Sequence, residues 1–279
     1  MIQDIGKGRY HNEYKKAVPK HSDYVLCYQN RELLVRQEGT DIYFLTYREV
    51  TEKYPDLSEQ YTYLFSIDED SYFLLPEFDV SVFPGYTWQN VEILRTASPK
   101  ENVFAGITGF QLWGWYGSRK FCPRCGKPLV HDENERMMRC TNCGLMEYPK
   151  ICPAVIVGVT DGDKILLTRY AGRAYKKYAL IAGFAEIGET IEETVSREVM
   201  EEVGLRVKNI RYYKSQPWSF SDTLLMGFFA DLDGAEEIHL DRMELAEAKW
   251  CTREEIPEDD GISLTREMMR VFKEGKVPC

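Results

Sequence analysis

The chain has no apolar run long enough to cross a membrane. A spanning helix needs roughly 20 consecutive apolar residues, and no stretch of these 279 residues approaches that length. The first residues, Met1-Ile2-Gln3-Asp4, also lack the charged and then apolar pattern of a signal peptide. We therefore expect a cytoplasmic protein with no membrane partner.

An excess of positive charge is also missing. The 35 lysines and arginines are outnumbered by 45 acidic residues, which gives a net charge of −10. Such a chain is not broadly attracted to nucleic acid or to anionic membranes, although a local basic groove remains open. A partner that carries phosphates would have to be met by bound metal ions.

Few cysteines lie outside one repeated motif. Four of the eight form two Cys-x-x-Cys pairs, each followed by glycine and separated by fourteen residues. A redox dithiol and two accidental pairs are the alternatives to a zinc site. Four thiolates on two tight turns give Zn²⁺ the closed tetrahedral shell of a structural site. We predict one structural zinc per chain and a reducing compartment, with the ligands Cys122, Cys125, Cys140 and Cys143.

The segment between the two pairs has no excess of either charge. Residues Lys127 to Arg139 contain three basic and three acidic side chains, so no basic stripe emerges. The sequence therefore favours a bracing role for this module over nucleic-acid binding.

The hundred or so residues before the cysteines alternate aromatic and aliphatic segments with polar turns. Segments 23–27, 32–35 and 41–45 predict short strands of a β-rich domain. The stretch from about 100 to 117 predicts a helix, although Gly106, Gly109 and Gly114 weaken that prediction.

After the cysteines the pattern alternates between strand and helix. Apolar segments 154–159 and 164–169 flank Asp161-Gly162, a hairpin signal. Strands are predicted at 207–214 and 223–231, and a helix from Thr265 to Lys273 with one apolar side.

A helix between these strands, from about 191 to 203, carries a group of acidic residues. Thr190 to Glu193 match a capping box, and Gly204 stands where a glycine cap ends a helix. Spacings of three and four residues place the carboxylates of Glu198, Glu201 and Glu202 on one face. A solvated acidic surface is the alternative, but like charges at this spacing repel. Hard cations such as Mg²⁺ or Mn²⁺ would compensate them.

The spacing of these residues resembles the Nudix box at each specified position. The pattern runs from Gly183 to Leu205: glycine, five residues, glutamate, seven residues, Arg-Glu, an aliphatic, any residue, Glu-Glu, any residue, Gly and an aliphatic. The resemblance implies an α/β/α sandwich that hydrolyses a nucleoside diphosphate linked to another moiety. It implies Mg²⁺ or Mn²⁺ ligands at the Ala182 carbonyl, Glu198, Glu201, Glu202 and Glu244, with Glu201 or Glu202 as the catalytic base. Arg197 would pair with Glu189 and orient the carboxylates.

A zinc ribbon directly before a Nudix box resembles the NADH pyrophosphatase subfamily. Residues Ser215 to Thr223 resemble the subfamily signature Ser-Gln-Pro-Trp-Pro-Phe-Pro-x-Ser at five of its eight specified positions. Ser219 and Ser221 replace two prolines, which predicts a loosened loop. The implied substrate-binding residues are Tyr148, Phe184, Gln216, Pro217, Trp218, Ser219, Phe220, Ser221, Asp222 and Thr223, with Glu135 and Thr265 as weaker assignments.

These patterns predict an α+β protein in three parts. They are a β-rich N-terminal domain (1–117), a four-cysteine zinc ribbon (118–149) and a C-terminal Nudix α/β/α sandwich (150–279). The resemblance implies a homodimer in which Tyr148 reaches the substrate across the interface.

The implied reaction is hydrolysis of NADH, and less well NAD⁺, to nicotinamide mononucleotide and AMP. Three alternatives remain open: removal of NAD caps from RNA, hydrolysis of ADP-ribose or a diadenosine polyphosphate, and a regulator that binds nucleotide and nucleic acid without cleavage. Retention of all three helix carboxylates argues against the regulator.

Overall fold

A computed structural model describes residues 1–172 and 177–278. Its helices are α1 (Tyr47–Lys53), α2 (Lys100–Ser118), α3 (Ile191–Val203) and α4 (Leu264–Lys273), and short 3-10 turns lie at Pro55–Glu59, Val80–Val82, Val91–Arg95 and Arg253–Glu255. Its strands are β1 (Tyr10–His11), β2 (Tyr24–Val25), β3 (Tyr28–Gln29), β4 (Glu32–Glu38), β5 (Asp41–Tyr43), β6 (Leu45–Thr46), β7 (Thr62–Ile67), β8 (Asp70–Leu74), β9 (Tyr86–Asn90), β10 (Leu129–His131), β11 (Met138–Cys140), β12 (Met146–Glu147), β13 (Cys152–Asp161), β14 (Lys164–Tyr170), β15 (Ile181–Phe184), β16 (Val207–Trp218), β17 (Thr223–Leu232) and β18 (Leu245–Thr252). In the described ranges, no helix combines the length and apolar character needed to cross a membrane.

The chain divides into two compact units. One contains residues 2–150 and 219–221, and the other contains Met1, 151–218 and 222–279. The ribbon therefore clusters with the segment that precedes it, and the predicted boundary between 117 and 118 stays a prediction.

The unit of residues 2–150 is rich in strands, as predicted. One sheet has the order β1-β7-β8-β2-β6, and a second joins β3, β4 and β5, with β9 paired to β4. The predicted strand segments correspond to β2, β4, and β5 with β6.

Helix α2 spans 100–118 although it contains several glycines. Two of these glycines let neighbouring side chains pack closely against the helix. A Cβ on Gly109 would lie 2.4 Å from Leu26 Cδ1 and 2.5 Å from the Tyr28 hydroxyl. That hydroxyl donates a 2.7 Å hydrogen bond to the Gly106 carbonyl. The glycines that weakened the sequence prediction therefore serve the packing of this helix.

The unit of residues 151–279 is built on a mixed sheet. Its strand order is β16-β17-β13-β14-β18, and β15 pairs with β13. The predicted hairpin is confirmed: Asp161 pairs with Lys164, and Gly162 between them has a φ of 57°.

Each face of this sheet packs against a helix. On β13, Val155, Val157 and Val159 belong to one core with α3, whereas Ile156 belongs to another with α4. This alternation explains why the strand is apolar without interruption. The predicted C-terminal helix is confirmed, and its apolar side includes Met268, Met269 and Phe272.

The segment Ser215 to Trp218 corrects one expectation from the sequence. It was expected within a loop, but it forms the end of β16 and pairs in register with Thr223 to Met226. Because β16 is an edge strand, the missing N–H of Pro217 is tolerated there. The turn is confined to 219–222, and Asp222 adopts a φ of 56°.

Candidate functional site

Helix α3 begins and ends as the sequence predicts. The Thr190 hydroxyl accepts a hydrogen bond from Glu193 N, the Glu193 carboxylate accepts one from Thr190 N, and Gly204 ends the helix at a φ of 70°. A Cβ on Gly204 would lie 2.7 Å from His239 Cβ, so the position also requires a small residue. The stripe of Val195, Val199 and Val203 is fully buried, with Ile191 packed beside it. This burial fixes which face of the helix carries the carboxylates.

Glu198 rests on the backbone of β15. Its side chain is buried, and a Cβ on Gly183 would lie between 1.9 and 2.1 Å from the carboxylate atoms. Only glycine leaves room for the carboxylate at this point of the strand. The preceding residue, Ala182, supplies the carbonyl that the sequence assigned to metal binding.

Arg197 holds the acidic cluster together, as predicted. Its guanidinium donates hydrogen bonds to Glu189 at 2.5 and 2.9 Å, to Glu198 at 2.8 Å and to Glu201 at 2.8 Å. A further bond of 2.9 Å goes to the carbonyl of Phe184. The arginine lowers the pKa of the Glu189 carboxyl to about 2. It therefore ties the loop after β15 to the helix.

The environment of Glu198 opposes a negative charge overall. Burial raises the pKa of its carboxyl, Arg197 lowers it, and the charges of Glu201 and Glu244 raise it again. Glu244 is exposed just before β18, Glu201 is exposed, and Glu202 is buried. The structure thus brings Glu201 and Glu244 within electrostatic reach of Glu198.

This donor set fits a hard divalent cation. One guanidinium serves three carboxylates, so the cluster keeps an excess of negative charge. Carboxylate and carbonyl oxygens are the ligands that Mg²⁺ and Mn²⁺ prefer. Glu198 rests on Gly183, the residue after Ala182, and Glu201, Glu202 and Glu244 would complete the set.

The four ribbon cysteines lie closer together than the carboxylates do. Within residues 1–172 and 177–278, they are the one group of three or more potential metal ligands whose atoms all lie within 4.8 Å of one another. The Sγ atoms of Cys122 and Cys143 are 3.5 Å apart, as are those of Cys125 and Cys140. Tetrahedral zinc with bonds of about 2.3 Å separates its sulfurs by about 3.8 Å, so the cluster fits that ion.

Each cysteine pair lies on a tight turn that glycine completes. Gly126 N donates to the Cys122 carbonyl and Gly144 N to the Cys140 carbonyl, both at 2.9 Å. Both glycines have positive φ angles, 70° and 73°. The glycine after each pair therefore has the turn role that the sequence suggested.

The sheet places three candidate substrate residues on one face. Ala154 of β13 pairs with Phe184 and with Leu225, and Leu225 pairs with Gln216. Paired residues share a face, and Trp218 follows Gln216 by two positions. Phe184 is exposed and Trp218 is half-buried.

Gln216 has a structural task that the sequence did not indicate. Its Nε2 donates to the Ile262 carbonyl at 3.0 Å, and its Oε1 accepts from Leu264 N at 2.7 Å. The amide therefore fixes the start of α4, beside Thr265. An isolated glutamine in a strand gives no sequence signal for such a partner 48 residues away.

The remaining candidates differ in exposure. Ser219, Phe220 and Thr223 are buried, whereas Pro217 and Ser221 are exposed and Asp222 is half-buried. The Arg95 guanidinium lies 4.5 Å from the centre of the Phe220 ring, so the two side chains pack together. The assignment of Phe220 to substrate binding stays a prediction.

Tyr148 and Glu135 are brought together. The exposed Tyr148 hydroxyl donates a 3.0 Å hydrogen bond to Glu135, which raises the pKa of the tyrosine. The sequence assigned both residues to substrate binding but did not predict that they touch.

Two family models match this chain. Residues 150–272 match the NUDIX domain, and residues 118–148 match the NADH pyrophosphatase zinc ribbon domain. The matched ribbon contains the four cysteines, and the matched NUDIX domain contains α3.

Curated relatives match over 149 residues. A protein of Salmonella heidelberg (strain SL476) named NAD-capped RNA hydrolase NudC is 44% identical across 53% of this chain and 58% of its own length. A protein of the same name from Citrobacter koseri is 43% identical over the same shares. The chain thus matches a little over half the length of these relatives. A solved NUDIX hydrolase from Nitrosomonas europaea is 26% identical, covering 57% of this chain and 95% of that one, with a TM-score of 0.49.

Proposed function

We propose that this protein is a metal-dependent dinucleotide diphosphatase. The chain belongs to the Nudix superfamily and carries the NADH pyrophosphatase zinc ribbon. It hydrolyses NADH, and less well NAD⁺, to nicotinamide mononucleotide and AMP. It works in the cytoplasm as a homodimer, with one structural zinc per chain and Mg²⁺ or Mn²⁺ for catalysis.

The seat of Glu198 on Gly183 is the observation that carries the proposal. A surface charge cluster needs no such seat, whereas a ligand for a cation must be held in place. When bound, a divalent ion neutralises a diphosphate and lowers the pKa of water. Arg197 orients Glu198 and Glu201, the Ala182 carbonyl and Glu244 add oxygen donors, and Glu201 or Glu202 accepts the proton of the attacking water.

The shared face of Phe184 and Trp218 supports a substrate with aromatic rings. Stacking of a base on an aromatic side chain stabilises binding by about 1 to 3 kcal/mol. Gln216, two residues before Trp218 on the same face, is buried and bonded to Leu264 N, and Trp218 itself pairs with Thr223. A dinucleotide offers two rings, so it gains more from such a surface than a simple nucleoside diphosphate does.

Removal of NAD caps from RNA is the second candidate. It needs the same diphosphate chemistry, and the curated relatives bear the name NAD-capped RNA hydrolase. A pocket that is open at the adenosine end would accept both substrates.

The homodimer is proposed because Tyr148 is 54% exposed and its hydroxyl donates a hydrogen bond to Glu135. An exposed but oriented tyrosine suits a contact with the substrate of a partner subunit. Analytical ultracentrifugation tests this part, and a monomer at micromolar concentration would contradict it.

A parallel assay of five substrate classes tests the reaction. NADH, NAD⁺, ADP-ribose, diadenosine polyphosphates and NAD-capped RNA are compared by kcat/KM, with products identified by mass. Nicotinamide mononucleotide with AMP, or with 5′-phosphorylated RNA, is the expected outcome. Equal or higher kcat/KM for ADP-ribose, which lacks nicotinamide, would reject the NAD assignment, and nucleotide binding without any cleavage would favour the regulator.

A further inference from the structure

The acidic side chains of the zinc ribbon are occupied by neighbours. Asp132 pairs with Arg139 at 3.1 Å, and Glu147 pairs with Arg119 at 2.9 Å. Glu133 lies 3.6 Å from a lysine outside the ribbon, and Glu135 accepts the Tyr148 hydroxyl. Equal numbers of acidic and basic residues in the sequence suggested a ribbon surface with no excess charge. In the structure, however, the acidic side chains are already paired with neighbouring groups.

Three cations of the same module have no such partner. The side chains of Lys120, Arg124 and Lys127 are exposed, and none forms an ion pair or hydrogen bond with any residue in the described part of the chain. In a protein with a net charge of −10, these three charges form a local positive surface. Because a net negative charge repels a polyanion at long range, binding of a polyanion depends on a local positive surface of this kind.

The backbone holds these cations on a rigid frame. Leu129 N donates to the Lys120 carbonyl at 3.0 Å, and Cys122 N donates to the Lys127 carbonyl at 2.8 Å. Arg124 lies within the turn that these bonds close, between two zinc ligands. The three side chains therefore project from a frame of eight residues, Lys120 to Lys127, that zinc fixes before any ligand arrives.

An exposed aromatic ring accompanies the charges. Phe121 is 64% exposed, and no ring contact is found for it among residues 1–172 and 177–278. Unpaired cations next to a free aromatic face are the combination that binds single-stranded nucleic acid, by phosphate contact and base stacking.

We propose that residues Lys120 to Lys127 bind the RNA chain of a capped substrate. This inference rests on the second candidate function, in which the substrate continues from its NAD cap as a polyphosphate strand. Lys120, Arg124 and Lys127 contact phosphates, and Phe121 stacks on a base. The contact does not depend on sequence, because the phosphates are common to every RNA and each base offers a π face.

The test uses the full-length protein and a fluorescent single-stranded RNA with no cap. Lys120→Gln/Arg124→Gln/Lys127→Gln should weaken RNA binding by about tenfold or more at 0.1 M salt. The slope of log K against log salt should become less steep by about 2, since each single-strand phosphate contact contributes about 0.7. Phe121→Ala should weaken binding by about tenfold without changing that slope.

Two controls separate charge at this place from charge in general. Lys7→Gln/Arg48→Gln/Lys53→Gln removes three other exposed cations and should leave RNA binding nearly unchanged. Lys120→Arg/Arg124→Lys/Lys127→Arg keeps the charge and should retain binding. Zinc content by elemental analysis shows that each variant keeps its ribbon.

Turnover of NADH and of NAD-capped RNA is measured on the same samples. The neutral triple variant should keep its kcat/KM for NADH and lower its kcat/KM for NAD-capped RNA by about tenfold. Equal RNA affinity of wild type and this variant would overturn the inference while leaving the diphosphatase proposal intact. Absence of NADH and cap hydrolysis in the wild type would instead reject the proposed function. Binding of the wild type to anionic vesicles but not to RNA would assign the surface to a membrane and also overturn the inference.

Discussion

At the scale of single residues, the missing side chain at position 183 determines where Glu198 lies. The carboxylate occupies the space that any Cβ would fill, and Arg197 fixes its orientation from the other side. A buried acid in a rigid seat is positioned for a cation without rearrangement. Glycine and arginine are therefore as necessary to the cluster as the glutamates.

The change Gly183→Ala tests the seat. The added methyl should displace the carboxylate, destabilise the fold by about 1 to 3 kcal/mol and lower turnover by about 100-fold. Denaturant unfolding and kcat/KM for NADH measure the two effects. Gly117→Ala in α2, where a Cβ meets nothing within 4 Å, is the control and should be neutral or slightly stabilising. Wild-type activity in Gly183→Ala would show that turnover does not depend on the position of the Glu198 carboxylate against Gly183.

The change Arg197→Lys tests the guanidinium that donates hydrogen bonds to three carboxylates. Lysine keeps the charge but cannot make the paired bonds to Glu189, so turnover should fall by about tenfold and stability by about 1 to 3 kcal/mol. Arg270→Lys is the matched control, because Arg270 of α4 is more exposed than Arg197 and pairs with Asp259 and Glu274, which lie before and after that helix. That variant should change stability by less than about 1 kcal/mol. Equal effects of the two substitutions would refute a special role for Arg197.

At the scale of elements, strand β16 has an irregular register near its first residues and carries candidate substrate residues at its end. Asp231 on β17 accepts bonds from Arg211 at 2.8 and 3.1 Å, from Asn209 and from Thr160. These bonds, led by those of Arg211, lower the pKa of Asp231 to about 2. They hold β16 on the sheet beside its register shift.

The change Asp231→Asn should therefore lower stability in a pH-dependent way. The folded-state pKa lies below the unfolded value of about 3.9. The stabilisation is thus present above about pH 4 and is lost as pH falls towards 2. At pH 7 the variant should melt about 2 to 4 °C lower, which corresponds to about 1 kcal/mol after solvent screening. A Tm difference that did not shrink between pH 4 and pH 2 would contradict this account.

Elements defined by nearby residues could be predicted from the sequence. The cap, apolar stripe and terminal glycine of α3 lie within fifteen consecutive residues, 190 to 204, and all of them were found as expected. The end of β16 could not be predicted, because its strand character depends on pairing with Thr223 to Met226. The seat of Glu198 was missed for the same reason, since its two parts meet only after the helix packs on β15.

At the scale of the whole molecule, two kinds of metal site should behave independently. Thiolates in a closed shell retain zinc, whereas a site of carboxylate and carbonyl oxygens releases Mg²⁺ or Mn²⁺ to a chelator. Purified protein should carry about one zinc per chain after dialysis against a weak chelator, and turnover should stop and return on addition of Mg²⁺ or Mn²⁺. Cys125→Ser should lose the zinc and Cys152→Ser should keep it, by elemental analysis. Zinc-free protein with an intact ribbon would contradict the assignment.

The account as a whole depends on the carboxylates of α3, and one comparison tests it most directly. Glu202→Gln removes a buried charge at nearly constant volume, and Glu192→Gln makes the same change at an exposed position of the same helix. With Mg²⁺ or Mn²⁺ supplied, turnover of NADH and of NAD-capped RNA is measured for both variants, with unfolding curves as the check on folding. The account predicts that Glu202→Gln remains folded and loses hydrolysis of both substrates, while Glu192→Gln retains it. Near-wild-type turnover in Glu202→Gln would contradict the central claim.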